Sequence, residues 1–194
     1  MVTDFAALQS RFRGEVLVPG VDGYAAARRI WNGMIDRRPE AIARCAQSDD
    51  ISQAVRFAAE PGIYPAVRAG GHNVAETAMA EGGLVIDVSR LKRITVDLET
   101  RTATAETGPT WGEFDNGSCS HGLATTGGLV SSTGIAGLTL GGGIGWLMGR
   151  CGLACDNTLA YEMATADGQL IQVTADSHPD LFGCSTAGEE ILAW

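Results

Sequence analysis

Positive charge is scarce in this chain of 194 residues. Lys and Arg number 14 against 23 Asp and Glu, which gives a formal net charge of −9 and a pI near 4.7. A protein that binds the phosphate backbone of nucleic acid needs a cationic face. The composition therefore argues against nucleic acid as a partner.

Long apolar runs are also missing. No stretch reaches the roughly 18 consecutive apolar residues of a membrane-spanning helix. The first residues, Met1–Asp4, lack the basic-then-apolar order of a secretory signal. We therefore expect a protein without a membrane segment, located in the cytoplasm.

Cysteines are few and odd in number. There are five, spread through a chain without a secretory signal, which argues against a disulfide framework. Cys151 and Cys155 have the spacing of half a metal or cluster site, but no second pair completes it, and His178 follows two predicted strands. We expect buried free thiols and predict no metal site.

Two glycine signatures of nucleotide binding are absent. The chain contains neither the G-x-G-x-x-G of a nicotinamide-binding unit nor the G-x-x-x-x-G-K-[ST] of a phosphate loop, which excludes those two folds. Glycine itself is abundant, with 26 residues, many of them clustered. Such clusters imply backbone at special dihedral angles or pressed closely against a ligand.

The first cluster is the corner Val67–Asn73. It follows the apolar run Ile63–Val67 and turns through two adjacent glycines into His72. Glycines allow positive φ and leave backbone N–H groups open, so successive amides can hold an anion. Arg68 adds positive charge, and His72 adds an imidazole that is nucleophilic when neutral. A plain strand-to-turn corner with a solvent-facing histidine is the alternative.

A second glycine-rich region runs from Thr126 to Trp146. Thr133–Gly137 offers a hydroxyl and allows a ligand to approach the backbone closely. Ile144–Trp146 could pack under the planar ring of a ligand. Small residues also permit tight packing between helix and sheet, and that alternative stays open for each single glycine.

Hydrophobic patterning predicts an α+β fold. A strand at Pro39–Cys45 precedes a helix that Asp49 or Asp50 caps and Pro61 ends. The next strand, Tyr64–Val67, delivers the glycine corner to the carboxyl end of a strand, where open α/β sheets bind ligands.

Further elements follow along the chain. The predicted strands and helix are Leu84–Val88, Ile94–Asp97, Thr102–Glu106, a helix at Pro109–His121 with Trp111 and Phe114 inward, and a hairpin of Leu159–Thr165 with Gln169–Thr174. The chain thus reads as one small mixed lobe and then a more β-rich one.

Four segments together resemble a known family. They are Arg68–Asn73, Gly82–Asp87, Gly134–Trp146 and Gly152–Asn157. They resemble the FAD-binding domain of the berberine-bridge-enzyme-like oxidases, within the vanillyl-alcohol oxidase and p-cresol methylhydroxylase superfamily. The likeness runs from about Trp31 to Phe182.

The resemblance implies a two-lobed domain with FAD between the lobes and its pyrophosphate on the loop Arg68–Asn73. It also implies a covalent bond from His72 to the flavin 8α-methyl group. Relatives with two links carry a cysteine where this chain has Val130, so a single histidyl link is predicted. The predicted FAD-binding residues are Arg68, Ala69, Gly70, Gly71, His72, Asn73, Val130, Thr133, Gly134, Gly137, Leu138, Gly142 and Gly145.

The resemblance stops after Phe182. Relatives continue into a tryptophan, a run of glycines, Asn-Phe-Gly and a substrate domain, whereas this chain ends with residues 183–194. Allowed codons for these residues, read one base out of frame, can encode that missing motif. We therefore expect an N-terminal segment (1–34), an FAD-binding domain (35–182) and an aberrant, frameshifted tail (183–194), with the C-terminal substrate domain missing.

The expected function is an FAD-dependent oxidoreductase of the oxidase type. Hydride would pass from a C–H bond of a small-molecule substrate to the flavin, and electrons would pass on to molecular oxygen. Two alternatives stay open: a flavin-binding module without turnover of its own, and a glycine-rich scaffold without cofactor. No residue is predicted as catalytic.

Overall fold

Residues 4–60 and 62–186 are described by a computed structural model of the chain. They divide into two units. Unit 1 contains the described residues up to Leu91 together with Ala164–Leu170, and unit 2 contains Lys92–Met163 and the described residues from Ile171 onward. Pro61, the predicted end of a helix, and residues 187–194 of the predicted tail lie outside the described residues.

Unit 1 is built on a four-stranded sheet. Its strands, in spatial order, are β1 (Glu15–Leu17), β2 (Ala41–Arg44), β4 (Leu84–Asp87) and β3 (Pro65–Arg68). β2, β4 and β3 run parallel, and β1 is antiparallel to β2. All four residues of β4 are buried, as expected for a parallel strand covered on both faces.

Helices provide the covering on these faces. They are α1 (Phe5–Gln9), α2 (Tyr24–Ala27) and α3 (Ser48–Ala58), of which α3 connects β2 to β3. Alternate residues of β4 enter two different cores. Leu84 and Ile86 join the core that contains Leu8, and Val85 joins the core that contains Tyr24 and Met79.

The start of α3 differs from the prediction. Gln47 occupies the N-cap position without a side-chain bond, and Asp50 lies inside the first turn. The fully buried Asp50 carboxylate accepts hydrogen bonds from the backbone N–H groups of Ala46, Arg13 and Gly14, at 2.9, 2.9 and 3.0 Å. Asp50 therefore joins α3 to the segment before β1, and the prediction that it caps the helix is wrong.

The remaining strands form two small sheets. β5 (Ile94–Asp97) pairs antiparallel with β6 (Thr102–Ala105), and β7 (Ala160–Ala164) pairs with β8 (Leu170–Thr174). These are the strands that the sequence predicts, within one or two residues at each end.

Four helices and one 3-10 turn complete the part of the chain that the structure describes. They are α4 (Trp111–Cys119), α5 (Ile135–Leu140), α6 (Met148–Cys151), the 3-10 turn Cys155–Asn157 and α7 (Pro179–Thr186). As predicted, Trp111 and Phe114 point inward: Trp111 packs with Ile135 and Ala154, and Phe114 and Leu138 pack against this cluster.

The mixed α and β class is confirmed. The assignment of a mixed lobe and a more β-rich lobe and the domain boundaries stay predictions. Helix α7 continues past residue 183, where the predicted tail begins. Within the described part of the chain, no helix has the length and apolar character needed to cross a membrane. The cytoplasmic location stays a prediction.

Candidate functional site

The glycine corner leaves the sheet of unit 1 at the carboxyl end of β3. Arg68 ends β3 and lies in register with Asp87 at the end of β4, which lies in register with Arg44 at the end of β2. Residues in register on neighbouring strands project to the same face. The three charged side chains therefore form a row across the edge where open α/β sheets bind ligands.

Asp87 is the centre of this row. Its side chain is fully buried; Oδ2 accepts a hydrogen bond from Arg68 Nη1 at 3.0 Å and lies 3.5 Å from Arg44 Nε. Oδ1 accepts the backbone N–H of Ser89 at 3.0 Å. A buried carboxylate is costly unless it is paired and hydrogen-bonded, and here both oxygens are satisfied.

Arg68 is consequently engaged inside unit 1. Besides Asp87, its guanidinium donates from Nη2 to the carbonyl oxygen of Arg29 at 3.3 Å. The buried Nε has no hydrogen-bond partner within residues 4–60 and 62–186. The positive charge that the sequence assigns to the corner is therefore largely matched by a carboxylate, and the side chain connects the corner to β4.

Gly71 is the residue of the corner whose backbone requires glycine. Its φ is +68°, and a Cβ built on it would lie 3.3 Å from both Ile30 Cγ2 and Arg68 Nε. Its carbonyl oxygen accepts the N–H of Trp31 at 3.1 Å. Beyond His72, the Asn73 side chain accepts the N–H of Thr77 at 3.1 Å. The loop is thus held at several points.

His72 stacks on the indole of Trp31. The ring centroids are 5.1 Å apart and the planes are inclined by 21°. The imidazole is half-buried, whereas Trp31 keeps 64% of its surface exposed. In the sequence, Trp31 marks only where the resemblance begins, and no spacing signal connects two residues so far apart in the chain.

In unit 2, the turn at residues 130–134 lies against the start of α4. The N–H groups of Trp111 and Gly112 donate to the carbonyl oxygens of Thr133 and Ser131, both at 2.9 Å. Thr133 in turn donates its N–H to the carbonyl oxygen of Val130 at 3.0 Å, and Val130 is half exposed. These bonds give the predicted residues Val130, Thr133 and Gly134 a fixed backbone.

Three of the predicted glycines in unit 2 differ in what their surroundings require. A Cβ on Gly145 would lie 1.7 Å from the carbonyl oxygen of Gly127, so packing alone requires a glycine there. A Cβ on Gly137 meets no described atom within 4 Å, so the packing described does not explain that glycine. Gly142 needs its φ of +94°. The packing alternative therefore applies to Gly145 and does not explain Gly137.

The predicted residues are thus distributed over both units. Unit 1 holds the loop Arg68–Asn73, with Ala69 and Gly70 between Arg68 and the strained glycine, and unit 2 holds Val130, Thr133, Gly134, Gly137, Leu138, Gly142 and Gly145. Leu138 is partly buried against the cluster around Trp111.

Cys45 and Cys155 are buried free thiols, whereas Cys119 is exposed and Cys151 and Cys184 are partly buried. Burial raises the pKa of the Cys45 thiol and of the Cys155 thiol, which favours the protonated form. Among the residues that the structure describes, no group of three or more His, Cys, Asp or Glu side chains is arranged to hold a metal ion.

Comparisons with known proteins identify the family of the chain. Residues 39–174 match the FAD binding domain family. Over 170 residues the chain is 36% identical to (R)-6-hydroxynicotine oxidase of Paenarthrobacter nicotinovorans, covering 88% of this chain and 37% of the relative.

Solved structures of oxidases have a similar fold. The crystal structure of 6-hydroxy-D-nicotine oxidase from Arthrobacter nicotinovorans is similar over 92% of this chain and 39% of that one, with a TM-score of 0.89 and 35% identity. Glucooligosaccharide oxidase from Acremonium strictum, whose FAD is named as 6-S-cysteinyl, 8α-N1-histidyl, has a TM-score of 0.89 and 25% identity over 96% of this chain and 40% of that one.

The chain spans about 37% and 41% of the length of two curated relatives, (R)-6-hydroxynicotine oxidase and an FAD-linked oxidoreductase of Bacillus subtilis. The family match itself covers most of the chain and includes the whole corner Arg68–Asn73 as well as the glycine-rich region of unit 2. The chain therefore belongs to the FAD binding domain family of the berberine-bridge-enzyme-like FAD-linked oxidoreductases, in the vanillyl-alcohol oxidase and p-cresol methylhydroxylase superfamily.

Proposed function

We propose that residues 35–182 hold FAD through a covalent bond to His72 and serve an oxidase that acts on a small organic molecule. One observation carries the proposal most directly. The matched FAD-binding segment contains a half-buried imidazole on a fixed loop at the carboxyl edge of a parallel sheet. Such an edge is where α/β sheets bind ligands, and the loop presents backbone N–H groups without bulky side chains.

The loop Arg68–Asn73 is the proposed pyrophosphate site. Because Asp87 already matches the Arg68 guanidinium, backbone amides are the main groups left to hold the phosphate oxygens, and Ala69, Gly70 and Gly71 place no large side chain over those amides. Arg68 sets the direction in which the loop leaves β3. In this proposal Arg68 acts on FAD mainly through the loop that it supports.

His72 is the proposed site of attachment. The bond joins a ring nitrogen to the flavin 8α carbon, with loss of one methyl C–H and of the imidazole N–H. The two electrons and two protons released would be taken up by the flavin, and dioxygen would accept them to give hydrogen peroxide. Only a neutral imidazole has the lone pair that this bond needs.

A single link is proposed, in contrast to the doubly linked FAD of the glucooligosaccharide oxidase. Val130 stands where the resemblance calls for the second, cysteinyl link, and its side chain has no nucleophilic atom. Within residues 129–133 the sequence contains no cysteine. The single link follows from that absence in the sequence.

The second glycine-rich region is the other proposed FAD contact. Gly137 offers open backbone, Gly142 a turn that only glycine adopts easily, and Thr133 a hydroxyl next to Gly134. Leu138 and Gly145 contribute by packing. The bound FAD supplies a hydride acceptor.

The second candidate function is a flavin-binding module without turnover of its own. The observation that favours it is that the matched family is described by FAD binding and not by a reaction. Bleaching of the flavin on anaerobic addition of an amine or sugar substrate would favour the oxidase; a flavin that stays oxidised with every such compound would favour the module.

Reconstitution tests the attachment. The purified chain and its His72→Ala variant are each incubated with FAD, denatured in acid and washed. We expect yellow, fluorescent protein from the wild type and colourless protein from the variant. Flavin that washes out of both would contradict the histidyl link.

A further inference from the structure

We propose that Trp31 is a positioning residue for His72: its indole fixes the plane of the imidazole and thereby sets how fast His72 attaches to FAD. This inference rests on the proposed covalent link. Trp31 contacts the histidine and is not proposed to exchange protons or electrons with the flavin.

Two contacts connect the Trp31 segment to the corner. The N–H of Trp31 donates to the carbonyl oxygen of Gly71 at 3.1 Å, and the indole lies on the His72 ring at 5.1 Å with an inclination of 21°. Ile30, next in the chain, would contact a Cβ on Gly71 at 3.3 Å. Residues 30–31 therefore run alongside residues 71–72 and hold both backbone and ring.

Packing does not account for a tryptophan at this position. Its side chain is 64% exposed, and the neighbouring core cluster around Tyr24 and Met79 includes Ile30 and not Trp31. Among the described residues, the aromatic ring that the indole stacks on is the imidazole of His72. That ring belongs to the residue proposed to bond to FAD.

The stack restricts the motion that matters for attachment. The outer torsion of a histidine side chain is broad, so contacts with neighbouring groups set the plane of its ring. A lone pair attacks well only when the ring is held in one orientation, because the gain from positioning is lost when the nucleophile is misdirected. A flat neighbour removes the unproductive orientations without adding a titratable group.

The test compares attachment rates in Trp31→Phe and Trp31→Leu. The 194-residue chain is freed of non-covalent flavin and mixed with FAD. Samples are denatured at intervals, and covalent flavin is read from fluorescence of the denatured band. Total FAD binding is measured separately by titration. Tyr64→Leu is the matched control, since Tyr64 is an exposed aromatic residue of the same unit.

We expect Trp31→Leu to attach FAD about three- to tenfold more slowly with unchanged FAD affinity, the size expected when an aromatic pair is lost. Trp31→Phe should stay within about twofold of the wild type, because a phenyl ring can still stack. Tyr64→Leu should attach at the wild-type rate.

Five results would overturn the proposal. The stack would have no role in attachment if Trp31→Leu attached FAD at the normal rate, or if Trp31→Phe or Tyr64→Leu were slowed as much as Trp31→Leu. These three results would leave the histidyl link itself intact. A Trp31→Leu chain that no longer binds FAD would show that Trp31 supports the fold. A wild-type chain that binds FAD without attaching it would instead overturn the histidyl link, and this inference with it.

Discussion

At the scale of single residues, one buried carboxylate organises the carboxyl edge of the sheet. Asp87 lies between Arg44 and Arg68, and Glu15 extends the row by pairing with Arg44 at 3.4 Å. The two acids differ in burial: Asp87 is fully buried and Glu15 is about half exposed. Asp87 should therefore contribute more than Glu15 to the free energy of unfolding.

Asp87→Asn should lower the free energy of unfolding by about 3 to 5 kcal/mol, because it leaves two guanidinium groups without their buried partner. Urea unfolding of the apoprotein measures the change. Glu15→Gln is the control and should cost less than about 1 kcal/mol, as exposed ion pairs do. Equal losses in both variants would mean that burial does not decide the strength of this row.

The sequence predicts part of this site. A strand that ends in glycines identifies the corner and His72 without any coordinates. The contact partners of the corner residues cannot be predicted from the sequence pattern. Arg68 meets Asp87 because β4 lies between β2 and β3, and Trp31 meets His72 because two loops run side by side. Both contacts depend on the order of strands in space.

At the scale of elements, α4 begins with a complete capping box. The Thr110 hydroxyl accepts the N–H of Glu113 at 3.4 Å, and the Glu113 carboxylate accepts the N–H of Thr110 at 2.8 Å. Hydrogen bonds from Lys92 and from the Thr110 backbone hold the pKa of Glu113 below its ordinary value. The sequence contains the S/T-x-x-E pattern of a capping box here, and this pattern predicts where the helix begins.

Glu113→Gln keeps the box and removes the charge, so it should cost less than about 1 kcal/mol near neutral pH. A lowered carboxyl pKa stabilises the fold above the ordinary glutamate pKa, and this advantage is lost as pH falls through the lowered value. The stability difference between wild type and variant should therefore shrink once the pH falls below the ordinary glutamate pKa of about 4.3, and it should vanish below the lowered pKa of Glu113. Thermal unfolding across this pH range measures it.

Thr110→Ala provides the comparison for Glu113→Gln. It removes a cap whose hydroxyl does not titrate, and it should cost about 1 kcal/mol with less dependence on pH. A difference between wild type and Glu113→Gln that stays constant into strong acid would contradict the assignment of the pKa shift to Glu113.

The helix start at α3 shows the opposite case, in which a sequence rule failed. Asp50 has the residue type of a cap, yet three backbone N–H groups outside the helix ladder draw its carboxylate inward. Two of these donors, Arg13 and Gly14, belong to a distant segment. Local propensity cannot reveal a partner that tertiary folding supplies.

Two glycines of the predicted FAD site should behave differently on substitution. Gly145→Ala places a methyl group against the Gly127 carbonyl and should destabilise the apoprotein by several kcal/mol. Gly137→Ala lies within α5 in open space, so stability should stay level or rise by up to about 1 kcal/mol. Its effect should appear as weaker FAD binding in a flavin titration. Unchanged binding would remove Gly137 from the site.

At the scale of the whole molecule, the chain combines acidic character with exposed apolar side chains. The net charge is −9, and Trp146, Ile144, Leu147 and Met148, which follow closely in sequence, are all exposed, Trp146 to 85%. Exposed apolar clusters mark surfaces that bind other apolar groups. The acidic charge opposes self-association.

Replacing Ile144 and Trp146 with serine should lower the binding of a hydrophobic dye such as ANS by at least about half, because the most exposed apolar side chains of that segment are removed. Dye fluorescence at equal protein concentration measures the change. Met34→Ser is the control, since Met34 is 90% exposed and lies outside this segment. An equal drop in the control would contradict a localised apolar surface.

The mass of the denatured chain tests the central claim most directly. The chain is incubated with FAD in air, denatured, and its intact mass and peptides are measured. The account predicts an increase of one FAD per chain, located on the peptide that contains His72. A chain that binds FAD in solution yet shows the unmodified mass after denaturation, or that carries the flavin on another residue, would contradict it.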